Sequence, residues 1–169
     1  MNSALMIASL VLLMGANAGG IANMFPEGIR MNNPCNLKHT HDKWHGSARL
    51  QDNKNFVRFL TPQAGLRAAM KTLLTYEDHY RITTINSIIM RFAPPAENNT
   101  QAYIDDVSIR MGWPPSAYLD LHDEDTLIRM TQSIVMHENG HSPNGMPLYW
   151  YEEAVYHAAA EQALYEVEE

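Results

Sequence analysis

With 169 residues, the chain is long enough for one domain with a proper core, and length alone argues against two. A formal net charge of -7 repels phosphate backbones and argues against nucleic acid as a partner. The single cysteine, Cys35, has no internal disulfide partner and fits no metal-ligand spacing. The charge is uneven: six acids and no Lys or Arg lie between Tyr149 and Glu169, whereas the preceding 148 residues are nearly balanced.

The first segment, residues 1–24, opens with an apolar run at 4–14 (ALMIASLVLLM), too short to span a bilayer as a mature helix. Ala16-Asn17-Ala18 matches a small-residue cleavage pattern, yet only the α-amine supplies positive charge ahead of the run. Three readings stay open: an export signal, an uncleaved segment that holds the protein at a membrane, or a core helix. The first two place the working part outside the cytoplasm or in a virus particle.

Residues 25–148 contain no repeat and read as one unit. Asn32-Asn33-Pro34 and Gly46 break the stretch GIRMNNPCNLKHTHDKWHG into loops. ARLQDNKNFVRF predicts two short strands around the turn Asp52-Asn53-Lys54-Asn55, a small hairpin. Thr61-Pro62 starts a helix with an apolar stripe of Leu66, Ala69, Met70, Leu73 and Leu74. Glu77 continues that stripe, but Asp78 and His79 beside it predict an exposed end. Thr84 caps a short helix with Ile85, Ile88, Ile89 and Phe92 inward, stopped by Pro94-Pro95. Asn99 or Thr100 caps the next, in which Tyr103, Ile104, Val107 and Met111 are apolar and Gly112 ends the pattern. A last helix of the unit starts at Asp123. Beyond it, 149–169 predicts an acidic helix with a narrow face of Val155, Ala158, Ala159 and Gln162, which docks on the domain or attaches to another virion component. The fold class expected is mainly α (α+β) with one small hairpin.

The stretch IVMHENGHSP supports two incompatible chemistries. As His-Glu-x-x-His it is a zinc-peptidase signature, with His137 and His141 as ligands and Glu138 as base; a third ligand would have to come from Glu152, Glu153 or His157, none of which has a familiar zincin spacing. That requires the helix to continue through His141, and Gly140 followed by Pro143 argues that it stops. As a helix end, the stripe Leu127, Met130, Thr131, Ile134, Val135 brings position 138 next onto the packed side. An ionised carboxylate is poorly solvated there, and the negative end of the helix dipole disfavours a second negative charge. Both effects favour a carboxyl that keeps its proton, as a general acid requires. A glutamate exposed at a frayed end is the bland alternative.

The set GIRMNNPCNLKH, KWHG, the helix around GLRAAM and APPAENNTQAYIDD, ending in IVMHENGHSP, resembles phage and prophage virion lysins with an R-N-N-N-P-G-N-I/L opening. The similarity runs over about residues 28–143. More loosely, the chain resembles cell-wall-degrading proteins carried by membrane-containing phages. The resemblance implies a lysozyme-like fold, peptidoglycan as substrate, no metal and no cofactor, with membrane or virion proteins as further partners.

Lytic transglycosylases and related glucosaminidases order these pieces differently, with the Glu-Ser-Gly helix end first, the Asn-Asn-Pro loop next and W-x-G last. Here Asn32-Asn33-Pro34 and Trp44-His45-Gly46 come first and Glu138-Asn139-Gly140 last, so the order predicts a circularly permuted lysozyme-like domain. Glu138 is then the expected general acid. Glu97, fixed between Pro94-Pro95 and a helix start, is the rival catalyst or an electrostatic partner. Expected substrate contacts are Asn33 and Asn36 on N-acetyl groups, Trp44 under a sugar face, Tyr103 on a substrate amide or on Glu97, and His137 and Asn139 beside Glu138. Each has a plainer reading as turn, core or surface residue. Cys35 stands where the lysins carry Gly, so a positive φ at this position would be strained.

Overall fold

The four helices between residues 62 and 139 each begin where the sequence supplies a side-chain oxygen for a free backbone N–H. In the computed structural model, which describes residues 24–41 and 43–166, six helices follow in chain order. They are α1 (Glu27–Arg30), α2 (Pro62–Tyr80), α3 (Ile85–Phe92), α4 (Thr100–Met111), α5 (Glu124–Asn139) and α6 (Glu153–Tyr165). Thr61 accepts from the Ala64 amide, and Pro62 in the first turn has no N–H to leave unsatisfied. Thr84 and Ser87 form a reciprocal capping box on α3. Asn99 rather than Thr100 caps α4, because its Oδ1 accepts from Ala102 N. Asp123 Oδ1 caps α5 through Thr126 N at 2.9 Å.

α5 is the central helix. Leu127, Ile128, Met130, Ile134, Val135 and Met136 are buried, and α5 packs against α1, α2, α4 and α6. Of its buried polar residues, Thr131 donates to Leu127 O, Ser133 to Arg129 O, and Gln132 to the Glu153 carboxylate. The expected stripes of α2, α3 and α4 all face this core, apart from Phe92, which is half-buried. The result is a mainly α domain.

The expected hairpin does not form regular strands among the described residues. Residues 55–60 thread between two other segments, with isolated antiparallel bridges Lys38–Phe56 and Ser47–Phe59. Val57 N donates to Leu37 O on one side, and Leu60 N to Gly46 O on the other. The ladder stops because the Gln51 side chain inserts into it. Ala48 N donates to Arg58 O at 2.8 Å, but the return bond from Arg58 N to Ala48 O is replaced: Gln51 Oε1 accepts from Arg58 N at 2.7 Å and its Nε2 donates to Ala48 O at 2.6 Å. The turn itself is as expected, with Asn53 Oδ1 accepting from the amides of Asn55 and Phe56.

Two other expectations change. Glu77 is buried, not exposed: its carboxylate accepts from Leu121 N at 2.8 Å and so anchors the 118–121 loop to α2. The C-terminal helix docks on the domain, the first of its two expected roles, but by a different face. α6 packs extensively on α2 through Tyr156, Ala159, Ala160 and Ala163, a face rotated by one residue from the one read in the sequence. The alanines allow close approach of the two helices, and Tyr156 donates to Tyr149 O at 2.7 Å. Trp150 closes the end of α5, its Nε1 donating to Gly140 O at 2.9 Å and its ring meeting Phe25 edge-on. No helix among the described residues is long and apolar enough to cross a membrane. The N-terminal export or anchoring segment lies outside the described residues, apart from Met24.

Candidate active site

α5 ends at Asn139, one residue after Glu138, and Gly140 turns the chain away at φ 69°. Glu138 therefore stands in the last helical turn, half-exposed, where it borders a cleft of about 1170 Å³. Its carboxylate is held by two side chains from distant parts of the chain. Asn36 Nδ2 donates to Oε2 at 2.7 Å, and the Tyr103 hydroxyl donates to Oε1 at 2.8 Å. Among the described residues no Lys, Arg or His forms an ion pair with Glu138, so both fixed donors are neutral.

The loop that brings Asn36 here is ordered by Asn33. Asn33 is fully buried, accepts from Leu37 N at 2.9 Å and donates to Leu37 O and Val57 O. Its amide is entirely used and touches no solvent, which corrects the expectation of a substrate contact. Asn32 and Asn36 take positive φ, 54° and 52°, a conformation that Asn tolerates better than most side chains. Cys35 between them does not. Its side chain points into the core, so the strain expected from a residue replacing glycine is absent, and burial together with the Glu138 charge pushes its thiol well up.

Asn139 is likewise a brace rather than a ligand contact. Its Nδ2 donates to Pro34 O at 2.6 Å and Val135 O at 2.9 Å, tying the end of α5 to the same loop. Gly28 closes this joint from beneath. A Cβ there would lie 2.7 Å from Asn36 Oδ1, 2.8 Å from Asn33 O and 2.9 Å from Asn139 Oδ1.

Tyr103 is buried and addresses Glu138, not Glu97 and not the cleft. Burial pushes its hydroxyl well up, and the Glu138 charge adds to this, so it stays protonated as a donor. His137 stacks on the Tyr103 ring, with centroids 3.6 Å apart and planes 21° from parallel, and its Nδ1 lies 2.8 Å from Asp106 Oδ2. Asp106 also accepts from Arg110 Nε at 2.9 Å. Burial works against its charge, but the hydrogen bonds from Arg110 and His137 outweigh it and hold the carboxyl below its usual range. His137 is thus tied into the support behind Tyr103. His141 lies beyond the end of α5, so the two histidines do not share a helical face as the zinc signature requires.

Glu97 borders the same cleft and pairs with Lys38 at its exposed rim. Trp44 is half-buried against the core and also lines the cleft. Of the eight residues singled out in the sequence, Glu138, Asn36, Glu97 and Trp44 border the cleft, and Asn33, Tyr103, His137 and Asn139 support it. Sequence reasoning missed Asp106 and Gly28. Asp106 had no signal beyond its place one turn from Tyr103. Gly28 had one, since it stands two residues before the Arg30–Asn33 opening.

Fold and site together define a mainly helical protein with one carboxylate fixed at the wall of a large cleft. No family model matches the chain. It is 35% identical over 153 residues to Protein P5 of Pseudoalteromonas phage PM2, covering 85% of this chain and 90% of that protein. The chain belongs to the same family as this phage protein.

Proposed function

We propose that the protein is a phage lytic enzyme that cleaves the glycosidic bond between N-acetylmuramic acid and N-acetylglucosamine in peptidoglycan, with Glu138 as general acid and then base. The observation that carries this reading is the Glu138 carboxylate, gripped on both oxygens by neutral donors at the wall of a cleft large enough for a polymer segment. Each oxygen keeps a second lone pair for the reaction. The lysozyme-like, circularly permuted arrangement is supported by the joint itself: Asn139 reaches Pro34, and Asn36 reaches Glu138, across more than a hundred residues. A family containing a phage protein suits an enzyme that acts from the virion or in the host envelope.

In this mechanism the Glu138 carboxyl delivers its proton to the bridging oxygen as the bond to the muramic C1 breaks. The N-acetylglucosamine leaves with a free 4-hydroxyl. The carboxylate then removes the proton of the muramic 6-hydroxyl, whose oxygen bonds to C1 and closes a 1,6-anhydro ring. Glu138 ends as it began, protonated. Asn36 and Tyr103 hold the carboxylate in one orientation through both transfers. Glu97, paired with Lys38, is occupied as a brace on the rim, which favours the intramolecular route over one needing a second free carboxylate.

Mass spectrometry of fragments released from purified sacculi by the wild type and by Glu138→Gln tests this. Anhydro-muropeptides that disappear in the variant are expected, and reducing muramic ends would shift the reading to hydrolysis by the same residue. Freed peptide amines on intact glycan would overturn it in favour of a peptidase. Binding without release by either protein would leave a non-catalytic wall-binding virion component.

A further inference from the structure

The cleft is richer in cations than the acidic chain around it. Lys38, Lys43, Lys71 and Arg91 line it, against Asp78, Glu97 and Glu138. Two of those acids are already engaged, Asp78 with His122 and Glu97 with Lys38. Lys43, Lys71 and Arg91 therefore border the cleft without a carboxylate partner among the described residues. In a protein of net charge -7, three unpaired cations in one concavity are not explained by the chain's own acids.

Arg91 is also held in place. Its guanidinium carbon lies 3.7 Å from the Tyr80 ring centroid and 5.1 Å from that of Tyr76, so two α2 tyrosines fix an α3 arginine. The Tyr76 hydroxyl also shares a hydrogen bond with this guanidinium, which has five N–H donors in all and so keeps others for a carboxylate. Lys71, on the same helix as both tyrosines, adds a second cation to the cleft wall.

Neutral sugar rings require apolar faces, which Trp44 and Phe56 supply elsewhere in the cleft, and hydrogen bonds, but not cations without a carboxylate partner. We infer that Arg91 and Lys71 form a subsite for the free carboxylates of the peptide branches carried by the glycan. This rests on the proposed substrate and extends it from the sugar backbone to its side branch.

The full chain carrying Glu138→Gln, which leaves the polymer intact, is compared with the same protein carrying Arg91→Gln or Lys71→Gln. Binding is measured by cosedimentation with intact sacculi and with amidase-treated, peptide-free glycan strands, and thermal melting verifies the fold of each variant. Each substitution is expected to weaken binding to intact sacculi by about tenfold at low salt. Arg91→Lys should weaken it less than Arg91→Gln, and binding to peptide-free strands should be unchanged. Unaltered binding to intact sacculi, or an equal loss on peptide-free strands, would overturn the subsite alone. Failure of the parent Glu138→Gln protein to bind either polymer would overturn the substrate as well.

Discussion

Asn36 and Glu138 are 102 residues apart in the chain and 2.7 Å apart in the fold, amide nitrogen to carboxylate oxygen. Asn36 has two separable duties, because its backbone sits at φ 52° and its side chain holds the carboxylate. Asn36→Gly removes only the second. It should melt within a few degrees of the wild type, since glycine takes this conformation without strain, yet lose about ten- to a hundredfold in rate on sacculi. Asn36→Ala loses both duties and should cost an additional 1 kcal/mol or so from the left-handed backbone. Equal rates for Asn36→Gly and the wild type would mean that Tyr103 alone suffices to orient Glu138.

Gly28 and Gly65 test the joint from its two sides. A Cβ on Gly65 would sit 1.8 Å from Asn32 O, a backbone atom that cannot move without displacing the whole loop. Gly65→Ala should therefore destabilise by roughly 3 kcal/mol or more, enough to lower expression or abolish a cooperative melt. Gly28→Ala meets the side-chain oxygens of Asn36 and Asn139 and the backbone oxygen of Asn33, all at 2.7–2.9 Å rather than 1.8 Å, so it should fold with reduced stability while activity falls further than stability does. Proportionate losses in both would show that Gly28 acts on the fold in general rather than on the Asn36–Asn139 joint.

Local signals carried most of the helical architecture. Thr61, Thr84 and Asp123 were legible as caps because a short polar side chain before an apolar period has few other uses. Gly112 and Gly140 were legible as stops for a similar reason. What the sequence concealed depends on contacts between distant residues. Asn33 and Asn139 look like substrate ligands in a motif, and only the folded chain shows their amides used on the backbone atoms of Leu37, Val57 and Pro34. Gln51 is unremarkable in sequence, yet its side chain ends the hairpin ladder. Glu77 read as exposed because its neighbours are charged, whereas the 118–121 loop folds over it. The nearness of the Asn33–Asn36 loop to Glu138 was inferable only by comparing the order of motifs.

Alkaline pH should unfold this protein sooner than its acidic composition suggests. Burial pushes the hydroxyls of Tyr103, Tyr151 and Tyr156 up from the ordinary tyrosine value of 10.0. A raised folded value means that these groups contribute fully below pH 10, and that stability is lost as pH climbs above it, where the unfolded chain releases protons that the folded one keeps. Each such group steepens the decline by up to about 1.4 kcal/mol per pH unit. Tyr103→Phe removes one contributor. It should lose activity at neutral pH by freeing Glu138 Oε1, yet show a shallower fall in urea midpoint between pH 10 and 11.5. The same slope in the variant and the wild type would mean that Tyr103 ionises as readily folded as unfolded.

Cys35 gives the last test, because the lysin motif expected from the sequence has glycine at this position. The thiol is fully buried and the backbone is not at positive φ, so glycine offers no relief of strain and leaves a void. Cys35→Gly should lower stability by about 1 kcal/mol or more, from the flexibility of the unfolded chain and the lost packing together. Cys35→Ala should fall between this variant and the wild type. The native thiol should resist an aromatic disulfide reagent and react with one equivalent in denaturant, since burial and the Glu138 charge both disfavour the thiolate. A Cys35→Gly protein that melts above the wild type would instead show that the loop prefers glycine and that cysteine there is strained. Rapid labelling of the native protein would show that the loop opens without unfolding, and the grip of Asn36 on Glu138 would then be intermittent.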